Sequence, residues 1–117
     1  MSSSSEIRDA IVTALGKVDG ISAYRTVPQV VAPGAAWPVR YQVTGWRNAC
    51  VVGMQWFVLV ALPSIDRAET VDAGDTLLDD VAETLWHVGQ ISNVTDWSWP
   101  VAAGSVPALR FTLNITT

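Results

Sequence analysis

The sequence predicts an α+β fold in which two helices pack on a mostly antiparallel sheet, in the order α-β-β-β-α-β-β. Three observations carry this. Apolar residues recur at helical spacing in 7–18 and again in 71–88. Side chains alternate with a period of two in 37–44 and 107–116, the mark of a half-buried strand. The run 50–62 is apolar at odd and even positions alike, which a strand tolerates only when both of its faces are covered.

The elements follow in order. Ser3 with Glu6 reads as a capping box, and Ile7, Ala10, Ile11, Ala14, Leu15 and Val18 then share one helical face. Gly16 and Gly20 are the candidate stops, with Gly20 the cleaner break. Residues 21–27 read as a short strand closed by Pro28. The segment 28–38 holds three prolines and no charge, with Pro33-Gly34 as a turn signal. Two readings of this segment stand side by side: a loop folded over its own core, or an arm packed on another subunit.

In the next strand Trp37, Val39, Tyr41 and Val43 are expected inward, and Pro38, Arg40, Gln42 and Thr44 outward. Residues 45–48 are expected to turn the chain into the two-faced strand. There Val52, Met54, Trp56, Val58 and Val60 line one face, and Val51, Phe57 and Leu59 the other. Pro63-Ser64 ends it, and Ser64 or Asp66 caps a second helix with Val71, Leu77, Leu78, Val81, Leu85 and Val88 as its stripe and Gly89 as its stop. Strands near 91–101 and 107–116 close the chain. In the last, Leu109, Phe111, Leu113 and Ile115 point inward, and Arg110, Thr112, Asn114 and Thr116 outward.

A chain of 117 residues makes one domain, with a folded surface of roughly 6,000 Å² against roughly 18,000 Å² unfolded. It is 50% hydrophobic and only 15% charged, a surplus of apolar residues for so small a domain. One Cys excludes an internal disulfide framework, and Cys50 with the single His87 supplies too few ligands for a Cys/His zinc site. The net charge of −4 argues against a general nucleic-acid binder. Met1 to Ser5 carries no basic and apolar signal pattern, and 49–62 is too short to cross a bilayer, so a cytosolic product with no membrane role is expected. Asn93-Val94-Thr95 and Asn114-Ile115-Thr116 are then chance glycosylation triplets.

No catalytic, cofactor-binding or metal-binding constellation is read. His87 is expected in the last turn of the second helix, where an imidazolium meets the helix dipole favourably, and no nucleophile-and-orienter pattern accompanies it. Cys50 reads as a small buried hydrophobe. Asp66, Glu69, Asp72, Asp75, Asp79, Asp80 and Glu83 stand against Arg67 alone, the pattern of a solvated helix face without a calcium-loop spacing.

The tryptophans say more. Trp97 and Trp99 share one face of their strand, and the hairpin register decides which. An even register sum sets them opposite Leu109 and Phe111 in the core; an odd sum sets them opposite Arg110 and Thr112 on the outer face. Trp46 follows the outward residues of its strand beside Arg47, and Trp with Arg is a common interface anchor.

Taken together, the helix Glu6 to Val18, Tyr24-Arg25 in a short strand, the uncharged loop Pro28 to Pro38, the apolar strand 50–62, the acidic helix Asp66 to His87 and the terminal Leu109-Arg110-Phe111-Thr112-Leu113 make a layout. Over the whole chain it resembles the tail terminator proteins of long-tailed, siphovirus-type phages infecting actinobacteria. The resemblance implies a non-enzymatic virion protein, assembled in the host cytoplasm into a homomeric, hexameric ring at the tail neck. It implies partners in the tail-tube protein and the head-side connector or stopper, with DNA passing through unbound. Subunit contacts are then expected at Val30, Val31, Trp37, Trp46, Arg47, Trp97 and Trp99. An acidic lumen is expected from Asp72, Asp75, Asp79, Asp80 and Glu83. A stopper-type ring subunit or a small-ligand-binding α+β module are the alternatives.

Overall fold

The computed structural model describes residues 4–47, 50–62, 67–101 and 104–116. Its elements are α1 (Ser4–Leu15), β1 (Ser22–Ala23), β2 (Ala35–Arg47), β3 (Cys50–Ala61), α2 (Arg67–Leu85), β4 (Gln90–Val101) and β5 (Gly104–Thr116). The predicted order and fold class are therefore those observed. One five-stranded sheet runs β1-β2-β3-β5-β4, antiparallel except for the β1–β2 pair. Ser3, Asn48, Ser64 and Asp66, expected in caps and a turn, lie outside the described residues.

Both helices cover one face of the sheet. Ile7, Ile11, Ala14 and Leu15 of α1 meet Leu77, Val81 and Leu85 of α2 over Met54, Trp56, Val58 and Val60 of β3 and Leu109, Phe111, Leu113 and Ile115 of β5. These are the helical stripes and strand alternations of the sequence, brought into one cluster. Burying a side chain of this size contributes about 1.5–3 kcal/mol, which offsets the ordering entropy of the long strands. α1 stops at Leu15 rather than at Gly20: the Gly16 amide still donates to Val12 O, and Lys17 and Val18 close tighter bonds to Ala14 and Leu15. Gly20, at φ +81°, turns the chain toward β1.

The other face holds a smaller cluster of Ala35, Trp37, Leu59 and Ala61, with Val31, Trp99 and Val106 packed against it. The uncharged loop thus folds over its own chain. The Gly34 amide donates to Ala61 O, and Val31 joins the cluster, while Val30 stays 78% exposed. The two-faced demand of β3 is met at Leu59 and Ala61 and not at Phe57, which neither cluster includes.

Two expectations about strands are corrected. Residues 21–27 pair only at Ser22 and Ala23, residues 28–34 take no part in the sheet, and β2 begins at Ala35, inside the expected loop. β2 continues to Arg47, which pairs with Cys50, so the expected turn residues Gly45 to Arg47 belong to the ladder. The alternation of β2 also breaks. Its register slips between Arg40 and Gln42, so that Tyr41 is the extra residue of a bulge. Trp37, Val39 and Tyr41 share the face away from the helices, where Val39 and Tyr41 lie exposed; beyond the slip Gln42 stays on that face and Val43 turns to the main cluster.

The two long hairpins overshoot the sheet in opposite directions. β5 ends at Thr116 opposite Gly53, beyond which β2 and β3 pair only with each other; β3 ends at Ala61 opposite Ala108, beyond which β4 and β5 do the same. The molecule measures 50 × 29 × 21 Å and exposes 6857 Å², above the roughly 6,000 Å² of a compact body of this mass.

Candidate functional site

The sheet face away from the helices is the most distinctive surface. β4 and β5 pair in the odd register, with Trp97 opposite Ala108, Trp99 opposite Val106 and Thr95 opposite Arg110. Trp97 and Trp99 therefore stand on the same face as Arg110 and Thr112, away from Leu109 and Phe111. Trp99 meets Trp37 edge-on at 5.1 Å between ring centroids. Across the sheet runs a row of rings: Tyr41 stacks on Phe57 at 4.7 Å, and the Arg110 guanidinium lies 4.5 Å from the Phe57 ring and 4.3 Å from the Trp97 ring. Arg110 is held between two π faces, and its Nε is buried without a hydrogen-bond partner.

Beside the rings lies a ladder of amides. Gln42 Nε2 donates to Gln55 Oε1 at 3.1 Å, and Gln55 Nε2 donates to Asn114 Oδ1 at 3.1 Å, linking β2, β3 and β5. Within the register set by the bulge and the two hairpins, this face carries Arg110 as a cation and no acid among its described side chains. Tyr41 is 57% and Trp97 39% exposed, so the row is open to solvent. At one end it passes into a cleft of about 420 Å³ lined by Val30, Val31, Trp99, Val101 and Val106.

The sequence-predicted contact residues separate accordingly. Trp97, Trp99, Val30 and Val31 lie on or beside this face. Trp37 is fully buried within the chain and offers no surface anchor, because the loop and Trp99 cover it. Trp46 and Arg47 sit in β2 beyond the end of β5, and their side chains lie outside the described part. Asp72, Asp75, Asp79, Asp80 and Glu83 are all exposed on α2. His87 follows α2 and is exposed at a cleft between the two helices, beside Lys17 and Glu83. Cys50 is in the ladder opposite Arg47.

Five residues outside the expected contact set take part as well. Tyr41, expected inward, stands on the face of Trp37 and Val39, which is open at Val39 and Tyr41. Phe57 was read as a covered strand residue. The arginines Arg8, Arg25 and Arg40 come from three elements with no shared motif. Arg8 Nη1 donates to Arg25 O at 2.8 Å and Pro38 O at 3.3 Å, and its guanidinium lies 5.0 Å from the Trp56 ring. Arg40 Nη1 donates to Ser4 Oγ at 3.0 Å, and Arg25 pairs with Asp9. Burial, and then the charges of Arg25 and Arg40, hold the Arg8 pKa below its usual value.

Among the described residues no three His, Cys, Asp or Glu side chains are grouped to hold a metal, and no helix is long and apolar enough to cross a membrane. Compared with protein-family models and with curated proteins, the chain matches none.

Proposed function

We propose that this chain is a structural subunit of a phage tail neck: a tail terminator that forms a ring on the completed tail tube, ends its polymerisation and joins it to the head-side connector. The observation that carries the reading is the open aromatic face, where Tyr41, Phe57 and Trp97 lie in a row on the side of the sheet away from the main core. A protein that ends its working life alone in water has little use for such a surface. A partner stacked on the ring would cover it, and the neutral amide ladder would suit contacts that form without desolvating charge.

The exposed acids of α2 support the same reading. Facing a channel, Asp72, Asp79, Asp80 and Glu83 would repel the phosphates of passing DNA and keep it from sticking. Neutralising them is expected to slow DNA ejection while leaving tail assembly intact.

Electron microscopy of particles made without the protein tests the assignment. Overlong tails or tails without heads support a terminator. DNA-leaking heads beside free tails of normal length support a stopper ring instead. A protein that stays monomeric and gains melting temperature with a small ligand sinks both.

A further inference from the structure

The sheet ends in two open edges, and those edges carry opposite charge. On one side β1 pairs only with Ala35 and Ala36, so β2 from Val39 onward has no strand outside it among the described residues. This edge bears Arg40, with Arg8 and Arg25 beside it, Arg25 paired with Asp9, so that the cations outnumber the acid. On the other side β4 is outermost over its 12 residues. There Asp96 and Asp75 line one cleft of about 370 Å³ between β4 and α2.

We propose that successive copies join head to tail, the Asp75–Asp96 edge of one docking on the Arg25–Arg40 edge of the next. Strand direction allows it. β2, β3, β5 and β4 alternate along the sheet, so β4 of one copy beside β2 of another continues the antiparallel pattern. The faces also match. Arg40 pairs with Trp56, and Asp96 with Leu109, and both partners belong to the helix-side cluster. Arg40 and Asp96 therefore project from the same face of a sheet continued across the junction, where opposite charges on adjoining strands attract. On the other face Tyr41 stands at the β2 edge and Trp97 at the β4 edge, so the aromatic row of one copy runs on into that of the next.

Such a contact is heterologous, with different patches meeting, and repeated copies close into a ring or grow as a filament. It also answers a hazard: long unpaired strand edges invite pairing with other chains, and over residues 93–99 β4 has only Asp96, which attracts a basic edge, to discourage it. As the junction of the proposed ring the contact rests on that reading, yet the two fail separately.

Charge reversal at each edge, alone and mixed, tests it. Variant one carries Arg25→Glu and Arg40→Glu, and variant two Asp75→Lys and Asp96→Lys; Arg8 is left intact because it bonds two backbone carbonyls. Each variant is first checked for a native circular dichroism spectrum and melting transition. The apparent self-association constant is then measured by sedimentation and light scattering. Each variant alone is expected to associate at least about tenfold more weakly than the parent chain. A one-to-one mixture is expected to recover the parent's assembly, because each reversed edge then meets its complement. Variants that assemble as well as the parent, or a mixture that stays dissociated, overturn the contact while a ring built otherwise stands. A parent chain that remains monomeric at about 100 µM, far above the range of stable assemblies, overturns the contact outright. Rescue by mixing, together with tails of normal length on particles lacking the protein, keeps the contact and overturns the terminator reading.

Discussion

The guanidinium carbon of Arg110 lies 4.3 Å from the centroid of the Trp97 ring, a diagonal contact between neighbouring strands, since Arg110 itself stands opposite Thr95. The second face of the cation is covered by Phe57. Losing Trp97 to Ala removes one of the two π faces and part of the cover over the Arg110 stem. The expected cost is about 1–2 kcal/mol in urea unfolding. In a double-mutant cycle with Arg110→Met the coupling should be about 0.5–1 kcal/mol. A coupling of zero would mean that the ring and the cation are neighbours without mutual attraction.

Trp37 offers a cleaner test of burial against polarity. It is fully buried under Trp99, and its indole Nε1 has no hydrogen-bond partner. Trp37→Ala should therefore cost about 3–5 kcal/mol by leaving a large cavity between the loop and β3. Trp37→Phe loses some volume but also removes an unsatisfied buried donor, a penalty of about 1–3 kcal/mol. The two effects oppose, and Trp37→Phe is expected to fall within about 1.5 kcal/mol of the parent chain in the same assay.

These two residues also show what was legible in the sequence. Periodicity placed both helices and the long strands, because each is amphipathic or two-faced over ten or more residues, and the main core follows directly from the stripes. The position of Trp97 was reducible to a choice of two, since hairpin parity admits no third. What decides it is the pairing of Val101 with Gly104, which local composition does not specify. Trp37 is inward in its strand as expected, and that it is buried within the chain and not at a subunit contact has a different reason. Its uncharged loop could cover either its own sheet or a neighbour's, and burial depends on where Trp99 arrives from 62 positions away. Tyr41 keeps the face of Trp37 and Val39 yet lies exposed, because alternation fixes a face and not where its cover ends; the bulge acts further on, turning Val43 to the helix side. The arginine edge was invisible for want of any sequence spacing that joins α1, the segment after β1 and β2.

Gly34 and Gly20 separate backbone strain from steric conflict. Both have positive φ, +86° and +81°. A Cβ at Gly20 meets nothing within 4 Å, whereas at Gly34 it falls 2.5 Å from the Gly20 carbonyl oxygen. Gly20→Ala should therefore cost only the conformational term of about 1–2 kcal/mol. At Gly34 the same term applies, and the loop must also retreat from Gly20, loosening the bonds from Ser22 N to Gly34 O and from Gly34 N to Ala61 O. Gly34→Ala is expected to cost about 3 kcal/mol or more. Equal thermal shifts for the two variants would show that the loop yields freely.

The amide ladder makes a prediction about position within a network. Gln55 is the middle member, accepting from Gln42 and donating to Asn114, and the second of these bonds is partly buried. Gln42→Ala breaks one exposed bond, and water can replace what is lost at Gln55 Oε1; the expected cost is about 0.5 kcal/mol. Gln55→Ala breaks both bonds and strips the amide of Asn114 of its donor in a half-buried setting, so about 2 kcal/mol is expected. Gln55→Leu keeps the cover over β3 but leaves both neighbours unpartnered, and should lie between the two. The order Gln42→Ala, Gln55→Leu, Gln55→Ala in urea midpoint tests whether hydrogen bonds or burial dominate on this face. If Gln55→Leu instead stabilises the chain, its apolar gain exceeds both bonds, and the ladder is there to keep the face from becoming wholly apolar before a neighbour covers it.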